Sequence, residues 1–127
     1  MVKVMQLMKE NPVCVQAGTS VVEAAKVMRE RNIGSVFVRQ DHGIVGIVTE
    51  PDIVRKVVGA DRGPYFIPVD DIMSSPVVGI DEQRPITEAA ELMEQHRTRH
   101  LAVLKRGAIV GIVSVRDLLH PVSIDDF

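Results

Sequence analysis

The chain contains the same stretch of sequence twice, and this duplication limits the folds that it can adopt. Ile44–Asp52 reads IVGIVTEPD, and Ile109–Asp117 reads IVGIVSVRD sixty-five residues later. Aligning Thr19–Arg55 with Arg84–His120 at this offset gives eleven identical pairs. The pairs are Glu23/Glu88, Ala24/Ala89, Ala25/Ala90, Met28/Met93, Val38/Val103, Ile44/Ile109, Val45/Val110, Gly46/Gly111, Ile47/Ile112, Val48/Val113 and Asp52/Asp117. A repeat of this kind indicates a duplicated supersecondary unit, so the function is sought in what the two copies form together.

Each copy shows the pattern strand, helix, strand, strand, helix. Short runs of Val and Ile bounded by turn residues predict the strands, and apolar residues three and four apart predict the helices. The predicted strands are Pro12–Gln16, Ser35–Arg39, Ile44–Val48, Val77–Ile80, His100–Leu104 and Ala108–Val113. The predicted helices are Val21–Glu30, Thr49 to about Val58, Pro85–Gln95 and Ser114 to about His120, with a helical turn around Val4–Lys9. The fold class is therefore α/β (α+β), with two β-α-β-β-α repeats packed about a pseudo-twofold axis.

Local signals place the ends of several elements. Ser20 and Glu23 form a capping-box pattern before the first long helix, and Asn32 with Gly34 is expected to end that helix. Pro85 fits the first turn of its helix, where a missing amide hydrogen costs nothing. The expected hairpin turns are Asp41–Gly43 and Lys105–Gly107.

One repeat alone is too small to cover both faces of its strands, so the two copies are expected to share a core and to form two equivalent clefts. The sequence divides into a first domain at 1–58, a linker at 59–68, a second domain at 69–122 and a tail at 123–127. The linker contains two Gly and two Pro, which favour irregular structure.

Composition excludes several functional classes. Of the 127 residues, 46% are apolar and 3% are aromatic, so Val, Ile, Leu, Met and Ala must form the core. The net charge of −2, with both signs intermixed, provides no field for binding a nucleic acid. Cys14 is the only cysteine, which excludes an internal disulfide and suits a reducing cytosol. Neither a signal peptide nor a membrane span is indicated, so a cytoplasmic location is expected.

Several motifs occur in the same order in both copies. Pro12–Val13 corresponds to Pro76–Val77, at an offset one residue shorter than that of the main repeat. The pattern Gly-Ile-Val-(Thr/Ser)-x-x-Asp occurs at 46–52 and again at 111–117. With the two Glu-Ala-Ala helices, these motifs make the chain resemble a tandem pair of cystathionine-β-synthase (CBS) domains over roughly Val4–Val122.

The resemblance implies a regulatory module that binds adenine nucleosides or nucleotides in the clefts between the repeats. The implied ligand is AMP, ADP or ATP, with S-adenosylmethionine as a further candidate, and no resident cofactor is implied. The carboxylates would accept hydrogen bonds from ribose, the helix-start hydroxyls would donate to phosphate, and apolar strand residues would enclose the adenine. The implied ligand-binding residues are Asp52, Asp117, Thr49, Ser114, Val13, Val77, Ile47 and Ile112.

The polar residues of this set have a second interpretation that needs no ligand. Thr49–Asp52 and Ser114–Asp117 are also capping-box patterns, in which the carboxylate reaches back to the amide of the capping residue. Spacing alone favours capping, whereas the repeat context favours ligand binding for at least one of the two. Both roles can hold together, because a helix start also presents amide hydrogens and partial positive charge to a phosphate.

The two copies differ in charge around this motif. The second copy has Arg99 and His100 before its middle strand and Arg116 inside the motif, where the first has Gly34–Ser35 and Glu50–Pro51. Glu50 would repel a phosphate, whereas a charge-assisted contact from an Arg contributes roughly 1.5–3 kcal/mol. We therefore expect the second copy to bind a phosphorylated ligand better, and the first to bind an uncharged nucleoside or to stay empty. The resemblance also implies that a side chain of one repeat can reach a phosphate in the other cleft, so Arg99 could serve the first cleft.

The sequence does not indicate metal binding or catalysis. His96 and His100 are four residues apart, but they fall on different predicted elements and no further ligands accompany them. No nucleophile with a base, acid–base pair or glycine-rich P-loop is present, so the chain is not expected to be an enzyme.

Apolar residues on the last helix of each repeat exceed what a monomer would leave in water. Ile53–Val58 and Leu118–Val122 therefore predict a homodimer through these helices, unless the linker residues Tyr65–Ile67 cover them. A ligand-free dimerisation or protein-interaction module is the alternative function. In the nucleotide-binding interpretation, a separate effector protein, unknown from the sequence, would receive the signal.

Overall fold

The computed structural model describes residues 1–119. The predicted end of the last helix at His120, its stop at Pro121, the apolar Val122 and the tail at 123–127 lie outside the described residues. Within residues 1–119, no helix is both long enough and apolar enough to cross a membrane.

The chain forms two compact units that do not correspond to consecutive halves of the sequence. The continuous unit consists of Val13–Val77, and the split unit combines Met1–Pro12 with the chain from Val78 onward. The first twelve residues therefore pack with the second copy of the repeat. The division of the sequence into domains at 1–58 and 69–122 stays a prediction about the repeat itself.

The elements follow the predicted order in both copies. The strands are β1 (Lys9–Glu10), β2 (Cys14–Gln16), β3 (Ser35–Gln40), β4 (Gly43–Thr49), β5 (Gly79–Asp81), β6 (His100–Lys105) and β7 (Ala108–Ser114). The α-helices are α1 (Val21–Arg31), α2 (Glu50–Ile53), α3 (Ile86–His96) and α4 (Val115–Leu118). A π-helix at Val54–Val58 continues α2, so the helix predicted from Thr49 to about Val58 is confirmed with a change of winding.

The continuous unit is a three-stranded sheet with its helices. The strand order is β2-β3-β4, with β2 parallel to β3 and β3 antiparallel to β4. Its core residues are Val21, Ala24, Met28, Val36, Val38, Val48, Val57, Ile67, Val69 and Ile72. All ten are aliphatic residues or Met, as predicted, but the aromatic Phe37 of the same unit is also buried, with 1% of its surface exposed, so the predicted core composition is confirmed only in part.

The split unit has a four-stranded sheet in the order β1-β7-β6-β5. Its core residues are Val4, Ile80, Ala89, Met93, Leu101, Val103 and Val113. The prediction of a single helical turn around Val4–Lys9 is partly wrong, since Val4–Gln6 forms a 3-10 helix but Lys9–Glu10 is a strand paired with β7. A strand of two exposed residues is too short to show an alternating pattern in the sequence.

The capping residues fix where the long helices begin and end. The Ser20 side chain accepts a hydrogen bond from the Glu23 amide at 3.2 Å, and Asn32 ends α1 in the left-handed region, with φ 53°. Pro85, predicted inside the first turn of α3, is instead its N-cap, with ψ 151°. The reason is that Pro85 forms a bridge with Lys3, which requires an extended backbone.

An exposed ion pair stabilises the first turn of α3. Arg84 donates hydrogen bonds to both carboxylate oxygens of Glu88, four residues along the chain. These hydrogen bonds hold the pKa of Glu88 below its ordinary value and raise the pKa of Arg84. The pair joins the residue before the N-cap Pro85 to the first turn of α3, so it supports the start of that helix.

Each unit receives a segment that precedes the other copy of the repeat. In the split unit, Val4 is fully buried, its amide donates to the Arg84 carbonyl at 2.8 Å, and β1 pairs with β7. In the continuous unit, Val69 is fully buried, its amide donates to the Thr19 carbonyl at 2.8 Å, and Ser74 bridges to Ile47. The two arrangements are related by the same sixty-five-residue offset as the sequences.

The contact between β1 and β7 predicts a sensitive glycine. A Cβ added at Gly111 would lie 2.6 Å from the backbone oxygen of Lys9, so β1 would have to move. We expect Gly111→Ala to lower the free energy of unfolding by about 1–3 kcal/mol, the usual effect of overpacking. Thermal or urea unfolding measures this loss.

Gly43→Ala is the matched control for this substitution. A Cβ at Gly43 meets no atom within 4 Å. We expect a change within about 0.5 kcal/mol, as at ordinary surface positions. Equal stability of the two variants would contradict the proposed importance of the β1 contact.

Candidate functional site

The first copy of the duplicated motif closes a ring of hydrogen bonds at the start of α2. Thr49, at the end of β4, has an extended backbone and is the N-cap of the helix. Its amide and its hydroxyl both donate to Asp52 Oδ2, each at 2.9 Å. The Asp52 amide donates back to Thr49 Oγ1 at 3.4 Å. This is a complete capping box.

The second copy repeats this geometry at the start of α4. The amide and hydroxyl of Ser114 donate to Asp117 Oδ2 at 2.8 Å and 3.0 Å, and the Asp117 amide donates to Ser114 Oγ at 3.2 Å. Asp117 is buried, with 8% of its surface exposed. The capping interpretation is therefore confirmed for both motifs, and any ligand must use atoms that the caps leave over.

The two motifs differ in the amide hydrogens that remain. The Glu50 amide donates to the Gly34 carbonyl, the Val115 amide donates to the Arg99 carbonyl, and both distances are 3.0 Å. The next residue is Pro51 in one motif, which has no amide hydrogen, and Arg116 in the other. A first-turn amide has no acceptor within its own helix, and residues 1–119 supply none for Arg116.

The carboxylate of the first motif, Asp52, is also more fully occupied by protein groups than that of the second, Asp117. Lys56 Nζ lies 3.0 Å from Asp52 Oδ1 and also donates to the Ile72 carbonyl at 2.9 Å. The residue at the corresponding place in the second copy is Pro121, which carries no charge. Within the described residues, Asp117 Oδ1 makes neither a hydrogen bond nor an ion pair. The sequence interpretation did not include Lys56, although its spacing of four from Asp52 is the signal for such a pair.

Three basic residues of the predicted set belong to the split unit, together with Ser114. Register pairing of β6 with β7 places His100 opposite Ser114, and the carbonyl of Arg99 binds the first amide of α4. Arg99 and Arg116 are exposed, and His100 is half-buried. At the equivalent place in the continuous unit, the side chain of Glu50 lies against Gly34. The structure thus brings Arg99, His100, Arg116 and Ser114–Asp117 into one region.

The predicted apolar contacts are divided between the units. In the continuous unit, the Val13 carbonyl accepts from the Phe37 amide at 2.9 Å, and Phe37 pairs with Ile47 on β4. In the split unit, Ile112 is half-buried on β7, two residues before Ser114, so both lie on one face of the strand.

Val77 belongs to the continuous unit, whereas Val78 begins the part of the split unit that follows it. The Val78 carbonyl accepts from the Ala102 amide at 2.9 Å, just as Val13 binds Phe37. Val78 therefore occupies the structural place that corresponds to Val13. The offset of sixty-five residues aligns Val13 with Val78, whereas the Pro-Val pairs align Val13 with Val77. The ligand contact of Val77 stays a prediction.

The duplicated architecture matches a known family. The family model for the CBS domain matches residues 4–59 and 69–123. The chain belongs to the CBS-domain family. Members made of CBS domains generally serve as regulatory modules, and this chain is such a CBS-domain pair.

Proteins from several organisms are similar to this chain. A 17.7 kDa protein of Acidianus ambivalens is 37% identical over 118 residues, which cover 91% of this chain and 70% of that protein. A protein with CBS domains from Burkholderia ambifaria has a structure with a TM-score of 0.91 and 34% identity, covering 99% of this chain and 97% of that one. The structure of the hexameric CBS-CP12 protein from bloom-forming cyanobacteria has a TM-score of 0.89 and 30% identity. The match covers 99% of this chain and 74% of that one. This chain spans 51–70% of the length of the first curated relatives.

The capping geometry predicts the effect of removing one hydroxyl from the CBS motif. Ser114→Ala deprives the Asp117 amide of its acceptor and the buried carboxylate of one donor. We expect the free energy of unfolding to fall by about 1 kcal/mol, as for other lost N-caps. Ser114→Thr reproduces the residue of the first motif and should leave stability almost unchanged. A loss of equal size in both variants by thermal unfolding would contradict this account.

Proposed function

We propose that this CBS-domain pair is a regulatory module that binds an adenine nucleotide such as AMP, ADP or ATP at the Ser114–Asp117 motif. The nucleotide would change the affinity for a separate partner protein. One observation carries the proposal: within residues 1–119, this motif retains a carboxylate oxygen and a first-turn amide that no protein group uses. In the Thr49–Asp52 motif the corresponding residue is Pro51, which has no amide hydrogen, and Lys56 lies against Asp52 Oδ1.

Asp117 is suited to bind ribose. Its Oδ2 is fixed by two donors from Ser114, which orients the carboxylate and leaves Oδ1 as an acceptor. The residue is buried, and a hydrogen bond in a site of low dielectric is stronger than the same bond in water. Adjacent ribose hydroxyls would supply the donors. Ile112, which lies on the same face of β7 as Ser114, would contact the base.

The basic residues of the split unit are suited to bind phosphate. Arg116 contributes an exposed side chain and the remaining amide, and Arg99, whose carbonyl accepts from the first amide of α4, would supply a second guanidinium from its exposed side chain. Guanidinium groups bind phosphate through paired, charge-assisted hydrogen bonds. S-adenosylmethionine carries a sulfonium cation in place of a phosphate, so these charges favour a nucleotide over that ligand.

The proposed activity is binding without turnover. Signalling would follow from unequal affinity of the ligand for two conformations of the module, because a ligand shifts an equilibrium only by that difference. The groups at the motif are caps and acceptors, and the proposal assigns no acid, base or nucleophile to them.

An exposed apolar surface supports a second role in assembly. Val54 and Val58, on the π-helix, are 60% and 67% exposed, and Phe66 of the linker is 92% exposed. The exposure of Val54 and Val58 shows that the linker residues Tyr65–Ile67 leave these two valines uncovered, although Ile67 itself is buried. We propose that the apolar face formed by Val54 and Val58 is a homodimer contact. A ligand-free interaction module is the function that remains if nucleotide binding fails.

Nucleotide binding should depend on one carboxylate of the pair. At a hundredfold excess over its Kd, one ligand adds about 2.7 kcal/mol, which raises the melting temperature by on the order of 10 °C. We expect AMP to produce such a shift in the wild-type protein. Asp117→Asn removes the charge that strengthens the ribose contact but keeps the side-chain shape, and it should weaken AMP at least about tenfold. Thermal shift titration measures both effects.

Asp52→Asn is the matched control, because it makes the same change in the equivalent motif. It should leave the AMP titration unchanged. Equal weakening by both substitutions would refute the assignment to the second motif. No shift of the wild-type protein with AMP, ADP, ATP or adenosine would favour the interaction module.

The dimer proposal predicts a mass of twice 14.0 kDa in light scattering at micromolar concentration. Val58→Lys places a charge in the apolar surface and should shift the mass towards one chain. Thr87→Lys adds the same charge at an exposed position of α3 and should have no such effect. A single-chain mass of the wild-type protein would overturn this part of the proposal.

A further inference from the structure

We infer that Lys56 closes the Thr49–Asp52 motif to ribose, so that one chain binds one nucleoside rather than two. The inference rests on the proposed function, since it assumes that ribose hydroxyls are the donors that bind Asp117. It adds a residue that decides which of the two equivalent motifs takes a ligand. Neither the repeat nor the capping box distinguishes them.

Lys56 is held against Asp52 at two points. Its Nζ lies 3.0 Å from Asp52 Oδ1 and donates to the Ile72 carbonyl at 2.9 Å. The Asp52 side chain is 13% exposed and that of Lys56 is 46% exposed. The ammonium group therefore lies on the carboxylate oxygen that the cap leaves over, and the Ile72 carbonyl fixes it in that position.

Counting acceptor positions shows why this contact excludes a ribose. An ionised carboxylate accepts about four hydrogen bonds. Asp52 already accepts two hydrogen bonds on Oδ2, from the Thr49 amide and the Thr49 hydroxyl, and its Oδ1 is occupied by the Lys56 ammonium in an ion pair at 3.0 Å. Asp117 receives two, both from Ser114, so it retains about two positions. A ribose diol has two O–H donors, which Asp117 can accept together and Asp52 cannot.

Without Lys56, the first motif would accept a different class of ligand from the second. Pro51 has no amide hydrogen, the Glu50 amide donates to Gly34, and the Asp52 amide donates to Thr49. This turn therefore has no amide left for a phosphate, and the Glu50 carboxylate adds a repulsive charge. An uncharged ribonucleoside such as adenosine is the ligand that this motif would accept.

Lys56→Met tests the inference, since Met has a similar length and no charge. Isothermal titration of adenosine should give one site per chain for the wild-type protein and two for Lys56→Met. Adenosine should bind the first motif at least about tenfold more tightly in Lys56→Met than in the wild-type protein. This is the effect of gaining one charge-assisted hydrogen bond. Lys56→Gln replaces it if Lys56→Met does not fold, as judged by thermal unfolding.

Lys26→Met is the matched control, because Lys26 is an exposed lysine of the same unit, paired with Glu23 at 3.2 Å. It should titrate like the wild-type protein. In the double variant Lys56→Met with Asp52→Asn, the added site should disappear.

The outcomes separate this inference from the proposed function. One site in both the wild-type protein and Lys56→Met would overturn the inference and leave the proposed function standing. Two sites in the wild-type protein would also overturn it. No site in the wild-type protein and one in Lys56→Met would support the role of Lys56 while refuting the proposed binding at Asp117. No site in either protein would refute both.

Discussion

The close approach of a backbone segment to one glycine on β4 and one on β7 is the contact on which both units depend. A Cβ at Gly111 would lie 2.6 Å from the Lys9 backbone oxygen, and a Cβ at Gly46 would lie 3.0 Å from the Ser74 backbone oxygen. Each strand is thereby held between its hairpin partner on one side and an incoming segment on the other. A four-residue helix has little stability of its own, so the motifs at the ends of these strands are positioned by this packing.

Caps and turns that depend on neighbouring residues could be predicted from the sequence. The long-range pairing of the connecting segments could not. The Ser20 cap, the left-handed Asn32 and both hairpin turns follow from residue type at short range. The pairing of β1 with β7 joins residues about one hundred positions apart, and no periodic pattern in Lys9–Glu10 announces it. The extended ψ of Pro85 has the same origin, because a long-range bridge to Lys3 determines it.

The site shows the same division. Spacing was sufficient to predict that Thr49 and Ser114 cap their helices through Asp52 and Asp117, because all the atoms involved lie within four residues. What distinguishes the motifs is the environment of the outer carboxylate oxygen, and Lys56 reaches it while also bound to Ile72. Because each capping box is satisfied internally, the start of each helix does not depend on a ligand. Duplication of a self-capped motif thus allows the two copies to diverge in charge while they keep one geometry.

The exchange of segments has a consequence for how such a chain can arise. Residues 13–59 make up most of the continuous unit but lack three of its core residues, Ile67, Val69 and Ile72. The residues before Val13 complete the split unit instead. A chain with only one repeat would therefore have to fold its own leading segment back or take that segment from a second copy of itself. Gene duplication with fusion brings both leading segments, and both units that they complete, into one polypeptide. The exchange of segments then no longer depends on protein concentration.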